Sequence, residues 1–183
     1  VNDILTFAGV GDVSLKNAGS TDGFDLSEVS YTGTFKNINT VLGTAGIDRL
    51  TGLALGGTFE LDGSNRYYLQ TAELAFSLVE NLFGGAGNDT FTISGTRTNL
   101  TLNGMGGDDR FVFADNSTLS GGMPAILGGT GNDTLDFSDY ISAPVKADMQ
   151  AGSAMNISGN ASGSFSGIET VVGGQSNFIY GTS

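Results

Sequence analysis

Glycine-centred turns recurring about every twenty residues constrain this chain more than anything else in it. The turns read "GTAGIDRL" from Gly43, "GGAGNDTF" from Gly84, "GMGGDDRF" from Gly104, "GGTGNDTL" from Gly128 and a shortened "GGQSNF" from Gly173. Degenerate copies, "DGSNRYYL" from Asp62 and "QAGSAMNI" near Gly152, fill the two gaps. The turn glycines at 43, 63, 84, 104, 128, 152 and 173 then step by 20 to 24 residues. A second repeat precedes some turns: "FKNINTVLG" (35–43), "FSLVENLFG" (76–84) and "FSGIETVVG" (165–173). Such a period is too short for paired-helix repeats and too long for a hexapeptide repeat.

What flanks the turns alternates with period two and favours β-branched and aromatic residues, as in "TFTI", "RFVF" and "TLDF". Only "LQTAELAFSLVENL" (69–82) has helix-like spacing, and its tail belongs to a repeated word, so it reads as strand and loop. Short strands closed by glycine turns and stacked on their neighbours make a parallel β-solenoid. The expected fold is all-β: one right-handed parallel β-helix over 1–183, with about eight coils of 20–24 residues. Two more coils fit around "GVGDVSL" and "TDGFDL" in the first forty residues. At ~4.8 Å per coil, the rod is roughly 40 Å long. Phe91, Phe111, Leu135 and Phe178, each after a turn, are expected to stack as an internal ladder joined by Ile38, Val79 and Ile168.

Composition narrows the function. The 183 residues include 30 Gly, 2 Pro, no Cys and no His, which removes disulfides, thiolate sites and the commonest zinc ligand. The net charge of −12 comes mostly from Asp, and such a surface repels phosphate backbones and anionic lipid. Nucleic-acid binding and membrane insertion are therefore not expected. Few lysines, no cysteine and abundant Gly, Ser, Thr and Asn fit a secreted protein of the bacterial cell surface. Beginning at Val1, the chain reads as a processed product or a segment of something larger. The repeat runs into the last residues, "FIYGTS", so a fragment of a longer rod or a subunit stacking head to tail is expected.

In the turns, Gly84, Gly104 and Gly128 align, as do Gly87, Gly107 and Gly131, and as do Asp89, Asp109 and Asp133. Glycine permits positive φ, so carbonyl oxygens can turn to one side with a carboxylate folded over them. Two stacked turns then offer one ion an oxygen shell suited to Ca²⁺. The same Asn and Asp side chains are equally suited to satisfying turn amides as Asx-turns, with no ion.

"GGAGNDTFT" and "GGTGNDTLD" resemble the glycine-rich GGxGxDxUx nonapeptide of RTX (repeats-in-toxin) proteins, where U is a large apolar residue. The longer phrase "VENLFGGAGNDTFTISG" looks like repeats of very large bacterial adhesin-type surface proteins. The resemblance implies a β-roll-like fold and Ca²⁺ held by Asp89, Asp109 and Asp133, with Gly84, Gly87, Gly107, Gly128 and Gly131 supplying backbone geometry. The pattern departs from the family in three ways. There is one such turn per coil instead of tandem nonapeptides, Met105 replaces a glycine, and "GGQSNF" lacks the Asp.

These readings converge on a structural or adhesive surface element that is not an enzyme, whose partners are its own copies, flanking solenoid segments or cell-surface glycans. A polysaccharide-binding or polysaccharide-acting β-helix is the alternative, although seven basic residues and no His leave little for acid–base work. Arg66, Tyr67 and Tyr68 read either as a sugar-stacking spot or as a bulge in one coil. An ice-binding face is a narrower alternative, broken by the mixed rows Ala86, Gly106, Thr130 and Asn88, Asp108, Asn132.

Overall fold

Alternating side chains produce strands wherever the repeat predicts them. The structure, a computed structural model, describes residues 2–7, 9, 11–121, 124–158, 164–174 and 177–181, and among these the chain is all-β with no helix. The first strands are β1 (Ile4–Thr6), β2 (Asp12–Ala18), β3 (Phe24–Glu28), β4 (Phe35–Ile38), β5 (Thr40–Leu42) and β6 (Arg49–Thr51). Next come β7 (Thr58–Leu61), β8 (Arg66–Leu69), β9 (Ala72–Ser77), β10 (Asn81–Gly85), β11 (Thr90–Ile93) and β12 (Thr96–Arg97). They are followed by β13 (Thr101–Gly106), β14 (Arg110–Phe113), β15 (Thr118–Ser120), β16 (Ile126–Thr130), β17 (Thr134–Asp136) and β18 (Val145–Asp148). The last are β19 (Ser153–Ala154), β20 (Ile157–Ser158), β21 (Phe165–Ser166), β22 (Thr170–Val172) and β23 (Asn177–Tyr180).

Three mixed sheets result. Sheet 1 has the order β1-β5-β9-β8-β7-β11-β14-β17-β22, sheet 2 the order β21-β16-β13-β10-β6-β2-β3-β4, and sheet 3 the order β12-β15-β20-β19-β18-β23. Six times the chain passes from sheet 2 to sheet 1, and five of these passes, β6 to β7, β10 to β11, β13 to β14, β16 to β17 and β21 to β22, lie side by side as one run in each sheet. Every neighbouring pair in those runs is parallel and in register.

Register aligns like with like in the core. Phe59, Phe91, Phe111, Leu135 and Val171 oppose one another along sheet 1. The Phe59–Phe91 and Phe91–Phe111 rings stack at 4.8 and 5.0 Å, nearly coplanar at 2° and 8°. Each such pair contributes about 0.5–1.5 kcal/mol beyond burial. Facing them, Val13, Leu50, Leu82, Leu102, Ile126 and Phe165 form the matching row of sheet 2. Ile38, Val79 and Ile168 are buried as expected.

The uniform stack of coils is corrected in each sheet by one antiparallel meander. "TDGFDL" falls in the β2–β3–β4 meander of sheet 2, "DGSNRYYL" in the β7–β8–β9 meander of sheet 1, and "QAGSAMNI" in the β18–β19–β20 meander of sheet 3. None of these fillers is a turn of the repeat. Phe178 does not extend the ladder either: its strand β23 pairs with β18 in sheet 3, and Val171 takes the place beside Leu135. The Phe178 side chain, Gln175 and Ser176 of the last turn, and Thr182 and Ser183 of "FIYGTS" lie outside the described residues. Tyr67 is fully buried, its hydroxyl accepting the Leu53 N–H at 3.0 Å, so it stacks on no sugar.

The three copies of the repeated word also do not share one sheet. Phe35 is in sheet 2, Phe76 in sheet 1 and Phe165 in sheet 2. What the copies share is local. Their third residues, Asn37, Leu78 and Gly167, all have left-handed φ, at 54°, 53° and 62°. Gly and Asn adopt this conformation readily, whereas for Leu it costs about 1–2 kcal/mol. The Leu78 side chain is 62% exposed, so little packing is lost by changing it. Leu78→Asn should therefore raise stability by about 0.5–1 kcal/mol, read as a higher urea midpoint at unchanged m. A lower midpoint would contradict the strain assignment.

Candidate functional site

A residue just ahead of a parallel strand has an N–H that the neighbouring strand's carbonyls do not reach, and burying it unsatisfied costs about 1–3 kcal/mol. Here a side chain from the next pass takes it. Asp89 Oδ1 accepts from the Gly57 N–H at 2.7 Å, Asp109 Oδ1 from the Asp89 N–H at 2.7 Å, and Asp133 Oδ1 from the Asp109 N–H at 2.8 Å. Glu169 Oε2 continues the row by accepting from the Asp133 N–H at 2.8 Å. The structure thus brings together the three sequence-predicted aspartates, one per pass, at the corner between sheets 2 and 1. Both the Asp89–Asp109 and the Asp109–Asp133 pairs are adjacent, the 24-residue step notwithstanding.

Asp48 does not join them. The "GTAGID" turn connects sheet 1 to sheet 2, so Asp48 lies in a second row, where its Oδ1 accepts the Gly11 N–H and its own N–H donates to Glu80 Oε2 at 3.0 Å. Asn39 does the same for the Asp3 N–H at 3.0 Å. Asn39, Glu80 and Glu169 were not candidates in the sequence, yet each is the fifth residue of a repeated word. A polar residue immediately before an apolar strand was the available clue. Outside the aspartates runs a counter-directed row, with Asn88 Oδ1 accepting from Asp108 N–H at 2.8 Å and Asp108 Oδ1 from Asn132 N–H at 2.9 Å.

Glycine at these turns serves close approach more than positive φ. A Cβ on Gly84, Gly104 or Gly128 would lie 2.4, 2.5 or 1.6 Å from the carbonyl oxygen of Gly104, Gly128 or Gly167 in the next pass. It would also lie 2.6, 2.0 or 2.5 Å from Oδ2 of that turn's own Asp. Gly107 and Gly131 do have left-handed φ, at 101° and 138°. Gly87 does not, and is excluded from a side chain by the Leu55 carbonyl carbon, 2.5 Å from its Cβ position.

The four aspartates are all at most 1% exposed, yet their acidities differ, through unequal desolvation and unequal numbers of donors. Burial raises a carboxyl pKa and donated hydrogen bonds lower it. For Asp48, burial is offset by three donors, the Gly11 N–H and the Thr44 N–H and hydroxyl, and its pKa falls below the usual value. Asp89 has two, the Gly57 and Gly85 N–H groups, and burial pushes it up to about 6. Asp109 has one, from Asp89, and burial with neighbouring carboxylates pushes it to about 7. Burial raises Asp133 too. The lost donor is the amide four residues earlier. Met105, at φ 75°, turns its N–H to Asn103 Oδ1 at 2.9 Å, and Gly129 stands at φ 117°. Asp109 Oδ2 and Asp133 Oδ2 are left buried without a partner.

The arginines after Asp48 and Asp109 bind across passes, Arg49 to Asp12 and Arg110 to Asp136, as register devices. Among the described residues no three acidic side chains converge on one point to hold a metal ion. No family model, curated protein or solved structure matches the chain.

Two outcomes follow for this row. Because Asp89 and Asp109 titrate higher folded than unfolded, their contribution is fully present below about pH 4 and is lost as pH rises through 6 to 7. In chelator, the melting temperature should fall across that range, and Asp109→Asn should flatten the fall; an unchanged slope in the variant would assign it elsewhere. Gly128→Ala should cost about 2 kcal/mol or more by overpacking against the Gly167 carbonyl, measured by urea unfolding.

Proposed function

We propose that the chain is a β-solenoid of the bacterial cell surface, secreted and used as a structural or adhesive rod, with no catalytic role. The observation that carries this reading is the run of five side-by-side passes from sheet 2 to sheet 1 with parallel, in-register pairing at every step. Parallel strands joined by crossovers wind right-handedly almost without exception, which supports a right-handed coil. The rod has about five regular passes interrupted by three antiparallel meanders, fewer than the eight uniform coils expected from the turns. The buried carboxylates are committed to backbone amides, which suits scaffolding better than acid–base chemistry.

Ca²⁺ belongs to this proposal as a stiffener of the turns. The donor set fits in part: Asp109 Oδ2 and Asp133 Oδ2 lack partners, and each flanks its turn glycine together with a carbonyl oxygen of the next pass. Both oxygens of Asp89 are already used, so it would contribute less. A cation among these oxygens supplies positive charge where carboxylates are otherwise driven to take up protons. At pH 7.5, Ca²⁺ should raise the melting temperature of EDTA-treated protein and Asp109→Asn should abolish the rise. No difference between the two conditions would leave the row as an ion-free stitch.

Among the described residues, β22 and β21 at one end and β1 and β4 at the other have no further strand beside them. Exposed strand edges pair with other strands, which supports flanking solenoid segments or further copies as partners. Light scattering should show concentration-dependent, end-to-end growth; a monodisperse monomer at every concentration would remove self-assembly from the proposal.

A further inference from the structure

We infer that the cleft at Arg97 is a binding site for a carboxylated sugar, a hexuronate, with the guanidinium taking the carboxylate. The cleft, about 270 Å³, is bounded by Asn65 of the β7–β8 turn, Leu78 and Glu80 of the β9–β10 turn, and Arg97, Thr98 and Asn99 after β11. It goes beyond the rod-forming role and does not depend on it.

Arg97 differs from every other arginine of the chain. Arg49 pairs with Asp12, Arg66 with Glu73 at 3.0 Å, and Arg110 with Asp136. Arg97 has no carboxylate within ion-pair distance among the described residues, and its Nε is buried with no acceptor. In a chain with 19 acidic and 7 basic side chains, a half-buried guanidinium whose Nη groups have no acceptor among the described residues points to an acceptor from outside. The Nη groups, and not the buried Nε, would meet it. Glu80, the one acid lining the cleft, already accepts the Asp48 N–H at 3.0 Å.

The backbone makes room for the guanidinium. A Cβ on Gly63 would approach its Nη1 to 3.3 Å and one on Gly95 its Nη2 to 3.1 Å, and both glycines have left-handed φ, 105° and 67°. Planar guanidinium matches planar carboxylate through two parallel hydrogen bonds. The rest of the wall is neutral and hydrogen-bonding. Asn65 Oδ1 accepts the Gly63 N–H at 3.3 Å, leaving its amide N–H groups to donate, and Thr98 and Asn99 can donate or accept. Groups of this kind complement ring hydroxyls, whereas a single cation beside Glu80 suits a monoanion better than a phosphate or sulfate dianion.

The test is an NMR titration of the ¹⁵N-labelled full chain with sodium glucuronate, glucose and sodium sulfate at matched ionic strength. The expected result is a saturable shift of the Arg97 Nε–H and the Asn65 and Asn99 amides with glucuronate. Glucose and sulfate should each bind at least about tenfold more weakly, and Arg97→Gln should lose about tenfold or more in glucuronate affinity. Absence of a saturable shift, equal binding of glucose or sulfate, or full affinity in the variant would overturn the assignment. Should Arg97→Gln perturb the fold, Arg97→Lys keeps the charge without the planar fork, and the same loss is expected of it; the ligand comparison on the native chain decides independently of either variant.

Discussion

An amide at the mouth of a parallel strand needs an acceptor, and much of this structure follows from how that need is met. The acceptor is a side chain of the next pass: Asn39, Asp48, Glu80, Asp89, Asp109, Asp133 or Glu169. Each side chain must reach the same point relative to its own strand, so the bond fixes the register between passes. Once register is fixed, Phe59, Phe91 and Phe111 must oppose one another and their rings stack. Hydrophobic burial supplies the driving force, and the carboxylate row decides which residues share it.

That device puts acids in the core. A carboxylate withdrawn from water is tolerated as an anion only with enough donors around it. Asp48 has three and stays acidic, while Asp109 has one and is pushed to about 7. The difference arises in the backbone, where Met105 aims its amide at Asn103 instead of Asp109. A single left-handed residue thus takes one donor away from a group four positions along the chain. The same turns that form the corners between sheets 2 and 1 also bury carboxylates whose affinity for protons is raised.

Most of the architecture at the regular passes was legible in the sequence: "TFTI", "RFVF" and "TLDF" are strands, and the GGxGxD turns are corners. Misreading came where glycine and polar residues served another purpose. "DGSNRYYL" has a turn's composition, but its Gly63 closes an antiparallel hairpin, and "GTAGID" sits one corner away from its sequence relatives. A turn motif specifies a local chain reversal or corner. It does not specify which sheet receives the next strand, because that depends on the faces already built.

The sequence by itself determined that this chain is all-β, that strands follow the GGxGxD turns, and that Asp89, Asp109 and Asp133 occupy equivalent places, since these depend on side-chain alternation and local turn chemistry. Only the tertiary structure decided that Asn39, Glu80 and Glu169 do the same work, that Val171 and not Phe178 continues the ladder, and that Asp109 lacks the donors Asp48 has. Those depend on which pass lies beside which and where each amide points, and neither is written in any one repeat.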